Sequence, residues 1–166
     1  MTVVLFRWLV FLHVLSALTF YMAHGTSVAM VFRIRKETDF GRMRAMLDLS
    51  GSTLMFMGIS FAVMGLTGLI LPFLVHLWDR IYIWLSIVLL IVVVVYMVMF
   101  SSRQYGQLRR LLGSPYMEGG KPKPAEPPAS KEAVAAQLAQ INVVGLVIVG
   151  YIIPGFVLWM MIFKPF

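Results

Sequence analysis

Three histidines are the residues of this 166-residue chain best suited to chemistry. His13 and His24 lie in the otherwise apolar run LHVLSALTFYMAH, and His76 lies near the end of a second apolar run. An ionisable side chain inside a lipid bilayer is costly, so such a residue is a candidate functional group. Imidazole can ligate a metal or haem iron, transfer a proton, or form hydrogen bonds between helices.

His13 and His24 share one face of a helix. Eleven residues at 100° each end only about 20° from a whole number of turns, with a rise of about 16 Å. His76 lies two residues before Trp78, so antiparallel packing of the first two apolar segments would bring His13 and His76 to a similar depth. Two imidazoles in that position could ligate one b-type haem iron. The deeper His24 would need a methionine as its partner.

Three interpretations of the histidines stay open: hydrogen bonding within the bundle, ligation of haem b or another pigment, and a route for protons or metal ions. The sequence offers no catalytic set and no metal site beside them. Cysteine is absent, and no Asp or Glu interrupts an apolar segment. Catalytic zinc needs three clustered protein ligands, which three scattered histidines do not supply. We therefore expect a non-enzymatic protein.

The composition predicts an integral membrane protein, because 60% of the residues are hydrophobic and only 13% are charged. A spanning helix needs about 20 mostly apolar residues. Four segments satisfy this requirement and predict an all-α, four-helix membrane bundle that forms a single domain over residues 1–166: Val3–Phe32, Leu54–Leu77, Ile81–Phe100 and Val143–Phe163.

The basic residues predict the orientation. Eleven of the fourteen Lys and Arg residues fall in the connections 33–48 and 103–131. By the positive-inside rule both connections are cytoplasmic and both termini face outward. Charge placed this way indicates lipid rather than nucleic acid as the partner. The residues expected to contact anionic lipid are Arg33, Arg35, Lys36, Arg42, Arg44, Arg103, Arg109 and Arg110.

The two basic connections differ in character. The first predicts a surface helix capped by Thr38 or Asp39, with a bend at 50–52 before the second span. In the second, 101–112 continues the third helix. The Pro/Gly-rich linker 113–130 should then lack regular secondary structure. Ser130 suits the N-cap of a helix that continues into the fourth span.

Small residues on the second span predict close helix packing. The set is spaced mainly by seven residues and consists of Gly51, Gly58, Ala62, Gly65 and Gly68. We call the face of the first helix that carries His13 and His24 the histidine stripe. We expect this stripe to pack against the small residues of the second span, and we expect the third span to face lipid.

The motif Gly-x-x-x-Pro occurs at residues 68–72 and again at 150–154, which is a weak internal repeat. The third and fourth spans, which would form a second helical hairpin, contain no histidine. A histidine-based function is therefore expected in the first hairpin, formed by the first two spans.

The first hairpin also resembles a known group. The segments FLHVLSALTFYMAHG and FRIRKETDFGRMRAMLDLS, followed by a Gly-rich span, are similar to bacterial membrane proteins of domain of unknown function 2269. More distantly, the plan resembles the four-helix copper-resistance D type of membrane domain. The similarity covers roughly residues 8–75. The first group implies a multi-pass protein of the bacterial plasma (inner) membrane and has no established activity, and the second implies metal handling.

The sequence thus favours a small accessory or scaffold subunit of a larger membrane assembly, such as an electron-transfer or photosynthetic complex, with other membrane subunits as partners. The alternative is a b-type haem protein that uses His13 and His76, with His24 as a further candidate ligand. A third interpretation is a small protein for metal or proton permeation.

Overall fold

The computed structural model describes residues 3–165, with the backbone alone at Ser101. Its elements in chain order are α1 (Val3–Ile34), α2 (Phe40–Leu74), α3 (Ile81–Tyr96), a π-helical segment (Met97–Ser101), α4 (Ser102–Leu111), β1 (Tyr116–Glu118), β2 (Lys121–Lys123), α5 (Lys131–Gln140), α6 (Val143–Val147), a second π-helical segment (Ile148–Ile152) and α7 (Ile153–Phe163). The all-α fold class is therefore confirmed, with one small hairpin added.

Four helices among the described residues are long and apolar enough to cross a membrane: Val3–Ile34, Phe40–Leu74, Ile81–Leu111 and Val143–Phe163. They include almost all of the four predicted segments. The third runs through α3, the first π segment and α4 without a break, as the sequence indicated for 101–112. The fourth consists of α6, the second π segment and α7, and its bounds are those predicted.

The predicted bend at 50–52 is wrong. α2 is one helix of 35 residues that begins beyond the Asp39 N-cap, whose side chain accepts a hydrogen bond from the Arg42 amide. Gly51 lies inside it. A glycine in a helix interior costs about 1 kcal/mol relative to alanine. Packing of the buried Met43 and Leu47, one to two turns earlier, outweighs that cost and keeps the helix continuous.

The helix that Ser130 caps does not continue into the fourth span as expected. Ser130 does cap a helix, since its hydroxyl accepts a hydrogen bond from the Ala133 amide. That helix, α5, ends at Gln140, and Asn142 starts α6 by accepting from the Gly145 amide. The second capping residue explains the break, because an N-cap has a non-helical backbone.

The expectation that linker 113–130 lacks regular structure is correct only in part. β1 and β2 form an antiparallel hairpin in which Tyr116 pairs with Lys123. Gly119 and Gly120 have φ values of 57° and 76°. Two consecutive positive φ values are what a two-residue hairpin turn of type I′ requires, and glycine adopts them without strain. The Gly-Gly pair therefore forms a turn. Residues 124–130, rich in proline, contain neither helix nor strand.

The spans form two antiparallel hairpins, α1 with α2 and the third span with the fourth. They meet at the end of the bundle formed by residues 31–48 and 102–142, which we call the basic end. Its core includes Val31, Leu47, Leu108 and Val134. At the opposite end, the tryptophan end, a smaller core containing Tyr82 and Met160 joins the third span to the fourth.

Candidate functional site

His13 is held by the second span. Its Nδ1 lies 3.0 Å from the Met64 carbonyl oxygen and 3.0 Å from the Thr67 hydroxyl. A carbonyl only accepts, and the Thr67 hydroxyl donates to the Val63 carbonyl. Nδ1 must therefore carry the hydrogen, which leaves the lone pair on Nε2. His13 is a half-buried imidazole with a fixed tautomer and a nitrogen able to accept a proton or ligate a metal.

His24 has a different environment. It is 1% exposed, and neither ring nitrogen has a hydrogen-bond partner among residues 3–165. The Phe20 ring stacks on it at 5.8 Å between centroids and 3° between planes. On another side lies Gly150, in the second π segment, where an added methyl group would come within 2.6 Å of Nε2. A porphyrin could not reach Nε2 in this arrangement without moving the fourth span.

Next to His24, a second contact joins the same two helices in the reverse sense, with a side chain of the fourth span over a glycine of α1. The Tyr151 hydroxyl donates a hydrogen bond of 3.0 Å to the Gly25 carbonyl, and a methyl group at Gly25 would lie 3.1 Å from that hydroxyl. The pair His24–Gly25 on α1 thus meets the pair Gly150–Tyr151 on the fourth span, each large side chain over the other helix's glycine. We call this the His24 clasp. It joins the two hairpins.

Polar groups continue from the clasp towards the basic end. The Ser50 hydroxyl donates to the Ser27 hydroxyl at 3.0 Å, and both serines are buried. Tyr105, on α4, donates to the Ser27 carbonyl at 3.1 Å. This polar cluster connects α1 with α2 and α4. No described hydrogen bond connects it to His24, and Phe20 lies between His24 and His13.

His76 lies apart from the other two histidines. It follows the end of α2 at Leu74, has a φ of 53° and is exposed. The α2 groups that contact His13 are at Met64, Thr67 and Gly68, eight or more residues before His76, a distance of about 12 Å at helical rise. No described hydrogen bond joins His13 to His76. Within residues 3–165 there is also no cluster of three or more His, Asp or Glu suited to a metal ion.

The small residues of α2 differ in what covers them. A methyl group on Gly68 would lie 3.0 Å from the His13 ring, so the predicted packing of the histidine stripe is found there. One on Gly51 would lie 3.6 Å from the Arg109 guanidinium of α4. At Gly58 and Gly65 it would meet nothing within 4 Å. Ala62, on the same face, is exposed. The first helix therefore covers one end of the groove and leaves the middle open.

Three of the arginines assigned to lipid contact bind the protein itself. Arg44 donates to the Leu112 carbonyl at 2.6 Å. Arg109 bonds the Asp48 carboxylate at 2.6 Å and the carbonyls of Leu47 and Pro115. These two arginines therefore connect α2 with α4 and with the segment that leads into the β1–β2 hairpin. Of the other assigned residues, four form no ion pair with a described residue: Arg33, Arg35, Lys36 and Arg103.

The third of these arginines, Arg110, anchors the proline-rich segment. Its guanidinium bonds the Glu126 carboxylate at 2.9 Å, and the Tyr116 hydroxyl donates to the same carboxylate at 2.6 Å. The hydrogen bond from Tyr116, reinforced by that from Arg110, lowers the pKa of Glu126. The same carboxylate raises the pKa of Tyr116. Nearby, the Ala129 amide donates to the Leu111 carbonyl at 2.8 Å.

The sequence reasoning missed Gly150, Tyr151 and Tyr105. The repeated Gly-x-x-x-Pro motif was a usable signal, because the glycine of each copy lies against one histidine of α1: Gly68 against His13 and Gly150 against His24. His24 thus contacts the second hairpin, although the histidines were assigned to the first.

Comparison with protein families, curated proteins and solved structures found no match for the chain.

Proposed function

We propose that this protein is a non-enzymatic accessory subunit of a larger membrane assembly and that it docks through the open face of α2. The observation that carries the proposal is the uncovered stretch at Gly58, Ala62 and Gly65. Angles of 100° per residue place these three within about 60° of one another. Small residues in this pattern allow two membrane helices to approach closely.

The rest of the chain fits this role. Glycine in a helix interior is unfavourable unless close packing compensates for it. Gly51 and Gly68, at the two ends of the stretch, have such neighbours within the chain, whereas the middle does not. A helix of another subunit would supply them. The positive-inside rule would place the basic end in the cytoplasm of a bacterial cell and both termini outside.

The proposal is tested by purifying the full chain from its native membranes in mild detergent and measuring the mass of the complex. We expect a partner subunit to be retained by the wild-type chain and lost in Gly58→Leu/Ala62→Leu. Gly155→Leu is the matched control, since a methyl group at Gly155 also meets nothing within 4 Å. A wild-type chain that elutes as a monomer, or a control that loses the partner equally, would contradict the proposal. A doubled mass would identify the partner as a second copy.

A second candidate function, haem binding, is favoured by the His13 tautomer. Ligating histidines commonly donate their second N–H to a backbone carbonyl, as His13 does to Met64. Its Nε2 would ligate the iron, and His76 would have to approach from the end of α2. If His13 ligates haem, the assembly would be one that transfers electrons.

A further inference from the structure

A groove at the basic end lies between the start of α2 and α5, and it encloses about 400 Å³. Its wall is apolar and includes Phe40, Met43, Val134 and Leu138. Its rim carries Arg35 and Lys131, both exposed. We call it the Arg35–Lys131 groove. It combines a basic rim with a hydrophobic wall.

The charges at the rim favour an anion. Arg35 and Lys131 form no ion pair with any residue of 3–165. The one acidic residue of the lining, Glu37, is already engaged, because its carboxylate accepts from the amides of Thr38 and Asp39 and lies 3.8 Å from Arg42. The lining therefore carries a net positive charge above an apolar wall, since Arg35 and Lys131 outnumber Glu37, whose own charge is offset by Arg42.

The position of the groove identifies the source of the anion. Arg35 directly follows the end of α1 at Ile34, and Leu138 lies five residues before the fourth span begins at Val143. The groove therefore opens at the level where the spans would leave the hydrocarbon of a bilayer. Basic pockets between helices at this depth bind the headgroups of anionic lipids.

We infer that the Arg35–Lys131 groove binds one anionic phospholipid, with the phosphate between Arg35 and Lys131 and acyl carbons along Phe40, Val134 and Leu138. The inference needs the spans to be inserted in a membrane but not the docking of α2. It is more specific than general attraction of the basic connections to lipid, since it requires a site for a single molecule. Lys131 takes part although it lies outside the set assigned to lipid from the sequence.

Native mass spectrometry of the full chain in detergent, with phosphatidylglycerol or phosphatidylcholine of the same acyl chains added, tests the inference. We expect one phosphatidylglycerol to bind in preference to phosphatidylcholine. Arg35→Gln/Lys131→Gln should weaken its binding about thirtyfold, taking roughly 1 kcal/mol for each basic residue. Lys121→Gln/Lys123→Gln removes the same charge elsewhere on the basic end, at exposed residues outside the groove, and should leave binding unchanged.

A second variant tests the wall without changing charge. Ala135, part of the lining, is exposed, so Ala135→Leu should fold normally while filling the groove and lowering lipid binding. Equal binding of the two lipids, equal loss in the Lys121/Lys123 control, or unchanged binding in both groove variants would overturn the inference. Displacement of phosphatidylglycerol by millimolar inorganic phosphate would also overturn it, since the groove would then recognise free phosphate.

Discussion

The imidazole of His24 on α1 lies directly against the backbone of Gly150 in the fourth span. Tyr151 returns the contact by hydrogen bonding the Gly25 carbonyl. The two hairpins of the bundle are thus joined by a reciprocal pair of contacts, each of which places a large side chain against a glycine. Because interiors are close-packed, the His24 clasp should be sensitive to a single added methyl group.

Gly150→Ala should destabilise the protein by about 1–3 kcal/mol, the range for forcing extra volume into a packed site. The new methyl group would lie 2.6 Å from His24 Nε2, so the ring or the helix must move. Thermal unfolding in detergent measures the effect. Gly155→Ala, where the methyl group meets open space, is the control and should be neutral or slightly stabilising.

The double variant His24→Ala/Gly150→Ala isolates the contact. If the methyl group acts through the His24 ring, the cost of Gly150→Ala should largely disappear once the ring is removed. Additive costs in the double-mutant cycle would mean that the methyl group acts elsewhere, as on Val28, whose Cγ2 would lie 3.1 Å from it, and not through the His24 ring.

His24→Leu should change the free energy of unfolding little, or raise it. The imidazole nitrogens are buried without a partner, and an apolar replacement removes that penalty. His13→Leu loses the bond to Met64 and should cost about 0.6 kcal/mol, the average for such bonds between membrane helices. Unfolding in a denaturing detergent compares the two. A large loss of stability in His24→Leu would reveal a partner that binds its nitrogens.

The haem alternative makes a spectroscopic prediction. If His13 ligates iron, the purified chain should show a Soret band with sharp α and β bands on reduction. His13→Ala and His76→Ala should abolish these bands, while His24→Leu should keep them because its Nε2 is closed off by Gly150. Reduced-minus-oxidised absorption after growth with added haem precursor is the measurement. A flat spectrum would leave the histidines with structural roles.

The Glu126 anchor predicts a pH dependence of the proline-rich segment. The pKa of Glu126 is lowered in the folded protein, so the stabilisation it provides is present above the ordinary carboxyl pKa. It is lost as the pH falls through the folded pKa, which lies below the ordinary carboxyl value. Hydrogen exchange of residues 121–130, compared between wild type and Glu126→Gln, should show equal protection at low pH and a difference at neutral pH. Protection that differs at both pH values would exclude titration of Glu126 as the cause.

The pKa of Tyr116 gives a second test of the hydrogen bond between Tyr116 and Glu126. Its pKa is raised by Glu126, so Glu126→Gln should lower it towards the ordinary value of about 10. Phenolate absorbance, taken as the difference from a matched Tyr116→Phe chain, gives the titration of this one residue. An unchanged Tyr116 pKa would mean that the hydrogen bond between the two side chains is absent in solution.

Arg109→Gln should destabilise the basic end by about 1 kcal/mol, since it removes hydrogen bonds from a charged donor to Asp48, Leu47 and Pro115. Arg103→Gln removes an exposed arginine that forms no described ion pair and should change stability by less than about 0.5 kcal/mol. Chemical unfolding of both variants measures the difference. Equal effects would show that net charge, rather than the Arg109 contacts, determines the stability of this end.

Local features of the fold could be read from the sequence. The four apolar segments and the Asp39 and Ser130 caps depend on the sequence of each segment itself, and the structure has them. Two local errors had local causes. The Asn142 cap ended α5 early, and Gly119–Gly120 made a hairpin turn inside the proline-rich linker.

The length and apolarity of each span, the basic character of its connections and the spacing of its histidines were determined by the sequence itself. Tertiary structure alone decided that His24 lies against Gly150, that Gly58 stays open and that Arg109 binds Asp48. The reason is physical. Lipid is as apolar as leucine, so hydrophobicity does not say which face of a span meets protein. That choice depends on the fit of side chains more than 100 residues apart, such as His24 and Gly150, which no local pattern records.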